Sequence, residues 1–298
     1  MTLSIASTLD EALAAIAAGA RPIAGGTDLV VGARQGKDAL PEALIAIDRL
    51  DELAVIEQGA ESTRLGAGVT HARLMTDPAI VDNFTAISDA AALVGSPATR
   101  NVGTIGGNVM NGSPAMDTGA PLVVLGAMAE LASTSGTRSV GLDELWTGPG
   151  STSATADELC TALILANPPA NSGSAYVRLE YRRAMEIAVV GAAAAVTLDG
   201  DNIASIRVAL TAVAPTIMEV TSIDSIVGNP ADEDSLAYVA ELAAEQAAPI
   251  SDLRASDRYR RHSIGVMASR AVDAAARRAS GQKIAVPVNR ALGIGAAQ

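Results

Sequence analysis

The chain has 298 residues, enough for two domains of ordinary size. Its net charge is −12, from 33 acidic against 21 basic residues, and its aromatics are one phenylalanine, one tryptophan and four tyrosines; with no basic stripe interleaved with aromatics, a nucleic-acid partner is excluded. Hydrophobic residues make up 49%, much of it alanine, yet no run reaches the roughly 18 apolar residues of a membrane helix, and Met1-Thr2-Leu3-Ser4 lacks the features of a signal peptide, so a cytoplasmic protein is expected.

In chain order, Thr8 with Glu11 forms a capping box, and Leu9, Leu13 and Ile16 follow at helical spacing until Gly19. Arg21 to Ala24 reads as a short strand delivering the glycine pair of Ala24-Gly25-Gly26-Thr27-Asp28. Ala43 to Ile47 and Thr63 to Val69 read as further strands, with a helix starting at Thr70-His71. Ile80 to Val94 is broadly helical and leads through Gly95-Ser96-Pro97 to a second glycine pair, Thr104-Ile105-Gly106-Gly107-Asn108. The apolar run from Pro121 to Leu131 fits either a helix or a buried strand. The Pro/Ser/Gly/Asn cluster at 167–173 marks a domain boundary, giving domains 1–170 and 171–298. Beyond it, Tyr176 to Tyr181, Ala188 to Leu198 and Ile203 to Val213 read as strands, the last two joined at Asp199-Gly200-Asp201-Asn202. Helices are predicted at Asp234 to Ala247 and Asp257 to Ala279, with Arg277-Arg278 complementing the dipole of the second. The fold class is therefore α+β, with helices against a three-stranded antiparallel sheet in the C-terminal domain.

Two Gly-Gly steps beside small hydroxyl residues suit a dinucleotide pyrophosphate held from both sides. Glycine admits positive φ and lets successive N–H groups converge on an anion. Ordinary tight turns are the alternative. Neither segment has the G-x-G-x-x-G or G-x-x-x-x-G-K-[ST] pattern of the common nucleotide folds. The single cysteine excludes internal disulfides and a cysteine-held cluster within the chain. The two histidines, His71 and His262, are far apart and without a neighbouring cysteine, so no metal site is expected and both read as surface or capping residues. No acid/base dyad or nucleophile–histidine pair marks a catalytic residue, which fits an electron relay better than a hydrolase.

The segments Ala24 to Asp28, Arg100-Asn-Val-Gly-Thr-Ile-Gly-Gly-Asn-Val-Met-Asn-Gly-Ser-Pro-Ala-Met-Asp117 and Tyr181-Arg-Arg-Ala-Met-Glu-Ile187 resemble the FAD-binding medium subunits of the xanthine dehydrogenase and carbon monoxide dehydrogenase family of molybdenum hydroxylases. The resemblance implies a two-part FAD-binding domain of the PCMH/vanillyl-alcohol-oxidase-like type. It also implies partner subunits, a large one with the molybdopterin cofactor and a small one with [2Fe–2S] clusters, in a dimer of heterotrimers that passes electrons to NAD, oxygen or another acceptor.

The implied cofactor contacts are Ala24, Gly25, Gly26, Thr27, Asp28 and Leu29 in the first segment and Thr104, Ile105, Gly106, Gly107, Asn108 and Asn111 in the second, with backbone N–H groups of both on the pyrophosphate. Asp117 is placed on a ribose hydroxyl or as a helix cap, and Arg178 on the flavin or its phosphates or in a salt bridge. Cys160 lies on a strand passing the cofactor, Ile187 beside the isoalloxazine or in the core, and Val94 on the adenine side. A branched residue at Gly107 is expected to abolish FAD binding, on the premise that its φ is positive. Gly-Gly-Thr-Asp departs from the Gly-Gly-His-Ser of carbon monoxide dehydrogenases, and the lone cysteine departs from the cluster-carrying benzoyl-CoA reductase branch. A self-sufficient flavin oxidase of the vanillyl-alcohol oxidase type is the rival enzyme. A nucleotide-sensing or assembly module is the non-enzymatic one.

Overall fold

The computed structural model describes residues 1–36 and 39–294. The chain opens with β1 (Thr2–Ile5), α1 (Leu9–Ala17), β2 (Arg21–Ile23), α2 (Leu29–Arg34) and β3 (Ala43–Ala46), and the three strands form a parallel sheet in the order β1-β3-β2. Thr8 Oγ1 accepts from the Glu11 N–H at 3.2 Å as the predicted box requires, while Glu11 Oε2 accepts from the N–H of Ser7, one residue before the cap, at 2.8 Å, so a shifted box fixes the helix start. Strand β1 escaped the sequence reading because all four of its residues are exposed and carry no alternating pattern.

Then come β4 (Ile56–Gln58), β5 (Ser62–Gly66), α3 (His71–Leu74), α4 (Pro78–Asn83), α5 (Thr85–Leu93), α6 (Pro97–Val102), α7 (Ile105–Asn111), α8 (Gly119–Val124), β6 (Met128–Ser133), β7 (Gly136–Gly141), α9 (Leu142–Leu145), β8 (Trp146–Gly148), β9 (Ser151–Thr152) and β10 (Leu159–Ala166). Five of these strands make an antiparallel sheet, β4-β5-β10-β6-β7. The predicted helix from Ile80 to Val94 is broken at Phe84, whose backbone leaves the helical region (φ −130°, ψ 44°) while its ring is fully buried. The ambiguous run from Pro121 to Leu131 is both things in turn. It ends α8, turns at Gly126 (φ +66°) and enters β6.

The C-terminal part holds β11 (Ser172–Leu179), β12 (Val190–Asp199), β13 (Asn202–Thr211), β14 (Met218–Glu219), α10 (Glu233–Gln246), α11 (Asp257–Ala279) and α12 (Val288–Ala291). The expected three-stranded antiparallel sheet is four-stranded: β14 adds a short edge through Ala209–Glu219 and Leu210–Met218 pairing. Two residues are too few to show a period, so the pattern gave no sign of it.

Both faces of this sheet are buried. Ala175, Val177, Ala192, Ala194 and Val208 pack in one cluster with Ile264, Ala268, Ala271 and Ala275 of α11, whereas Tyr176, Ala193 and Ala209 join the core of the N-terminal part. Alternation along each strand thus serves two cores. The small side chains let the layers close up. A Cβ on Gly173 would run into the backbone of Ala275 and Ala279 in α11.

One carboxylate staples the two parts together. Asp89 of α5, fully buried, accepts from Arg278 Nη1 at 2.5 Å and Nη2 at 3.1 Å, from the Tyr176 N–H at 3.2 Å and from the Val288 N–H at 2.9 Å. Arg278, read from sequence as a helix-end cation, is therefore the counterion of a buried charge. Desolvation pushes the Asp89 pKa up, and these donors oppose it.

Candidate functional site

The first glycine pair sits where β2 ends and α2 begins. Gly26 has φ +66°, which bends the strand end toward the helix, and Gly25 presses on the backbone of the other segment, since a Cβ there would collide with the Val102 carbonyl. Among the described residues, the N–H groups of Gly25, Gly26 and Thr27 have no protein acceptor. Half-buried donors without acceptors are costly to maintain unless water or a ligand takes them. Leu29 is the first residue of α2, Ala24 is half-buried and Asp28 is exposed.

The second pair is built differently. It is the first turn of α7, capped by Thr104, and its N–H groups are all spent on protein: Ile105 on the Val69 carbonyl at 3.0 Å, Gly106 on Ala67 at 2.8 Å, Gly107 on Thr104 Oγ1 at 3.1 Å and Asn108 on the Thr104 carbonyl at 3.0 Å. The expectation that Gly106, Gly107 and Asn108 aim backbone donors at a pyrophosphate is therefore corrected. Gly107 is helical with no positive φ, so the premise of the Gly107 expectation fails as well. Gly106 is needed for another reason: a Cβ there would stand 2.5 Å from Ala67 Cβ and 2.8 Å from its carbonyl. What this segment still offers is side chains. Asn108 Oδ1 accepts from Thr118 Oγ1 at 2.5 Å, which leaves its amide NH2 to donate, and Asn111 is exposed at the end of α7.

The segments meet at Gly103. A Cβ there would lie 3.5 Å from Thr27 Oγ1 and 3.4 Å from His71 Cδ2. His71, expected at the surface, is 2% exposed, and its N–H donates to the Gly103 carbonyl at 3.0 Å. Burial, with Arg100 nearby, pushes the imidazole pKa down to about 4, so it is neutral near pH 7. Its burial comes from α3 docking beside α6, a tertiary effect that no local pattern announces.

Beside this junction two guanidiniums, Arg100 and Arg290, act on one another, in contrast to the acidic balance of the whole chain. Arg100, whose Nη1 donates to the Val94 carbonyl at 2.9 Å, has its pKa lowered by burial and by the Arg290 and Arg178 guanidiniums. Arg290 follows Asn289, which clasps the Arg178 backbone through Oδ1 at 3.1 Å and Nδ2 at 2.9 Å. Sequence reading missed His71, Arg100 as a separate cation, and Arg290. Only Arg100, within the quoted run, was there to be found.

Arg178 and Asp117 are brought together, but turned inward. Arg178 is fully buried; its Nη1 meets Asp117 Oδ2 at 2.7 Å and the Glu186 carbonyl at 3.3 Å, and its Nε and Nη2 meet Glu180 Oε2 at 2.8 Å. Asp117 Oδ1 accepts from Tyr176 Oη at 2.9 Å. Burial pushes the Tyr176 phenol well up, and the Asp117 charge adds to this. The network holds segment 181–187 from beneath, and Met185 (φ +52°) donates its N–H to the Gly95 carbonyl at 2.9 Å, laying the segment over residues 95–99. Ile187 is 47% exposed and free to face a ring. Cys160 is packed in the core on β10, its thiol pushed up to about 12 by burial, and so behaves as a small apolar residue. It borders Thr161, whose carbonyl takes the Ala67 N–H behind Gly106.

The family model of the FAD binding domain in molybdopterin dehydrogenase matches residues 1–168, and that of the carbon monoxide dehydrogenase flavoprotein C-terminal domain matches residues 175–275. The chain belongs to the molybdopterin dehydrogenase FAD-binding family. It is 31% identical to a xanthine dehydrogenase FAD-binding subunit of Escherichia coli O157:H7, covering 93% of this chain and 96% of that protein. It is 33% identical to a carbon monoxide dehydrogenase medium chain of Afipia carboxidovorans, covering 87% and 90%. A solved structure of carbon monoxide dehydrogenase from Hydrogenophaga pseudoflava, lacking the Mo-pyranopterin moiety of its molybdenum cofactor, superposes with a TM-score of 0.88 at 28% identity, covering 93% and 98%. The chain is thus an oxidoreductase-family flavoprotein with an FAD-binding part followed by a second domain. The open donors of the first segment, the Cβ-free approach of Gly25 and the local cations fit that cofactor.

Proposed function

We propose that this chain is the FAD-carrying electron-transfer subunit of a three-chain molybdenum hydroxylase. A large subunit with the molybdopterin cofactor oxidises the substrate, a small subunit relays electrons through [2Fe–2S] clusters, and this chain delivers them to NAD, oxygen or another acceptor. The assembly is a cytoplasmic dimer of heterotrimers. The observation that carries the reading is the set of N–H groups at Gly25, Gly26 and Thr27 left without protein acceptors beside the Arg100 and Arg290 guanidiniums in an acidic chain.

In this reading the pyrophosphate lies on Gly25, Gly26 and Thr27, with Ala24, Asp28 and Leu29 completing the turn. The Asn108 amide and the exposed Asn111 contribute from the other side, over a base formed by Thr104, Ile105, Gly106 and Gly107. Val94 borders the adenine, and Ile187 borders the isoalloxazine. Asp117, Arg178 and Cys160 act mainly from behind, by holding the segments that touch the cofactor. FAD supplies the chemistry of taking and releasing two electrons, and the protein binds and orients it. The three-stranded parallel sheet and the five-stranded antiparallel sheet support the two-part PCMH-like description, with the domain boundary at 170/171.

The self-sufficient oxidase is disfavoured by the C-terminal sheet, whose two faces are both covered and which has few aromatics with which to build a substrate pocket. The test is purification from the host followed by native mass spectrometry and acid precipitation. Three different chains and flavin released into the supernatant are expected. A protein that is active alone on an organic substrate, or that ignores added FAD, contradicts the proposal.

A further inference from the structure

We propose that His71 is a further cofactor ligand, a neutral imidazole whose Nε2–H forms the floor of the pyrophosphate site where the two glycine segments meet. The inference rests on the FAD reading of that site and adds a residue that no motif in the chain marks.

The geometry begins with the missing partners. Neither ring nitrogen of His71 has a hydrogen-bond partner among the described residues, and Nδ1 is sealed from solvent. A buried polar atom without a partner costs stability, so a buried imidazole that satisfies neither nitrogen calls for an explanation. The ring is not adrift. Thr70 caps α3 by accepting from the Arg73 N–H, Thr70 bridges Thr104, and the His71 backbone N–H donates to the Gly103 carbonyl, so residues 103 and 104 at the second segment hold it in place.

Its orientation follows from the edge that faces Gly103. Cδ2 lies 3.4 Å from the point where a Gly103 Cβ would stand, and Thr27 Oγ1 lies 3.5 Å from the same point. Nε2 is bonded to Cδ2, so it belongs to the edge turned toward the junction, whereas Nδ1 belongs to the sealed side. With the proton on Nε2 the ring's one donor faces the junction, where an anion can accept it, and Nδ1 is left as a buried acceptor. A neutral donor suits this place: it contributes a hydrogen bond to an anion and no further charge beside the guanidinium of Arg100. Gly103 completes the arrangement, because any side chain there would fill the space between Thr27 and the imidazole.

Two measurements on the full-length chain, freed of flavin, test this. In protein labelled with ¹⁵N-histidine, with His262→Gln used to assign the two rings, the His71 Nε2 resonance is expected to shift when FAD is added while Nδ1 remains unprotonated. In parallel, His71→Leu is expected to weaken FAD binding by about ten- to a hundredfold, as for a lost hydrogen bond to a charged group. His71→Gln, which keeps a side-chain N–H, should recover most of it. If the wild-type chain binds FAD but the Nε2 resonance stays where it was and His71→Leu binds as tightly as wild type, the inference is overturned and the FAD reading survives. If the wild-type chain takes up no FAD, both fall. The wild-type resonance decides the matter even where His71→Leu does not fold.

Discussion

The two Gly-Gly steps look alike in sequence and do opposite jobs. At Gly25-Gly26 the backbone keeps its donors open, with one glycine at positive φ and the other allowing the loop to press on the Val102 carbonyl. At Gly106-Gly107 the donors are spent within the protein, and Gly106 exists so that a helix start can lie against Ala67. A glycine pair thus marks a place where two backbones approach, and only the hydrogen-bond accounting tells whether a ligand is the third party.

The largest effect is expected at the structural glycine. Gly106→Val forces branched carbons into Ala67 within the buried core and should destabilise the chain by about 3 kcal/mol, the upper part of the range for overpacking. Urea denaturation of the flavin-free protein measures it. A variant as stable as wild type would remove the distinction between the two segments.

Next is the histidine that the segments share. Its pKa is lowered from 6.5 to about 4 on folding, so the unfolded chain binds the proton more readily. The stability this neutral group provides is fully present above pH 6.5 and is lost as the pH falls from about 6.5 to about 4, amounting to at most about 3 kcal/mol. Denaturation midpoints of the flavin-free protein across that window should slope downward toward acid, and His71→Leu should flatten the slope.

A comparable free energy, read in binding instead of stability, is expected at Gly25. Gly25→Ala cannot seat its Cβ beside Val102, so the loop shifts and loses at least one phosphate hydrogen bond, about 1.5–3 kcal/mol. The smallest effect belongs to Gly107→Ala. Its Cβ would meet only Thr104 Oγ1, at 3.1 Å, and alanine is the better helix former, so stability should stay level or rise by up to about 1 kcal/mol. Melting curves with and without FAD would show both.

How much of this could be read in advance followed the range of the interactions. Helix α11 and the β12–β13 hairpin were legible because their signals are local: a long helical period, and Asp199-Gly200-Asp201-Asn202 between two strands. The capping box of α1 was legible for the same reason. The second glycine segment was misread because two glycines argue against a helix by propensity, while the α7 start is held by Val69 and Ala67, residues contributed by another part of the chain. The short strand that delivers the first glycine segment was legible too: expected from Arg21 to Ala24, it is β2, Arg21–Ile23. His71 and the Asp89–Arg278 pair were invisible as such. Burial of a polar side chain is decided by what packs on it, and Arg278 looked like any cation at a helix end until Asp89 arrived from the other domain. The short edge strand β14 carried too little sequence to show itself.

The most direct measurement is a side-by-side FAD titration of the flavin-free Gly25→Ala and Gly107→Ala chains, followed by flavin fluorescence, with a melting temperature for each. The account predicts that Gly107→Ala binds like wild type and that Gly25→Ala binds about ten- to a hundredfold more weakly while still melting cooperatively. Loss of FAD binding in Gly107→Ala with unchanged melting, alongside wild-type affinity in Gly25→Ala, would contradict it.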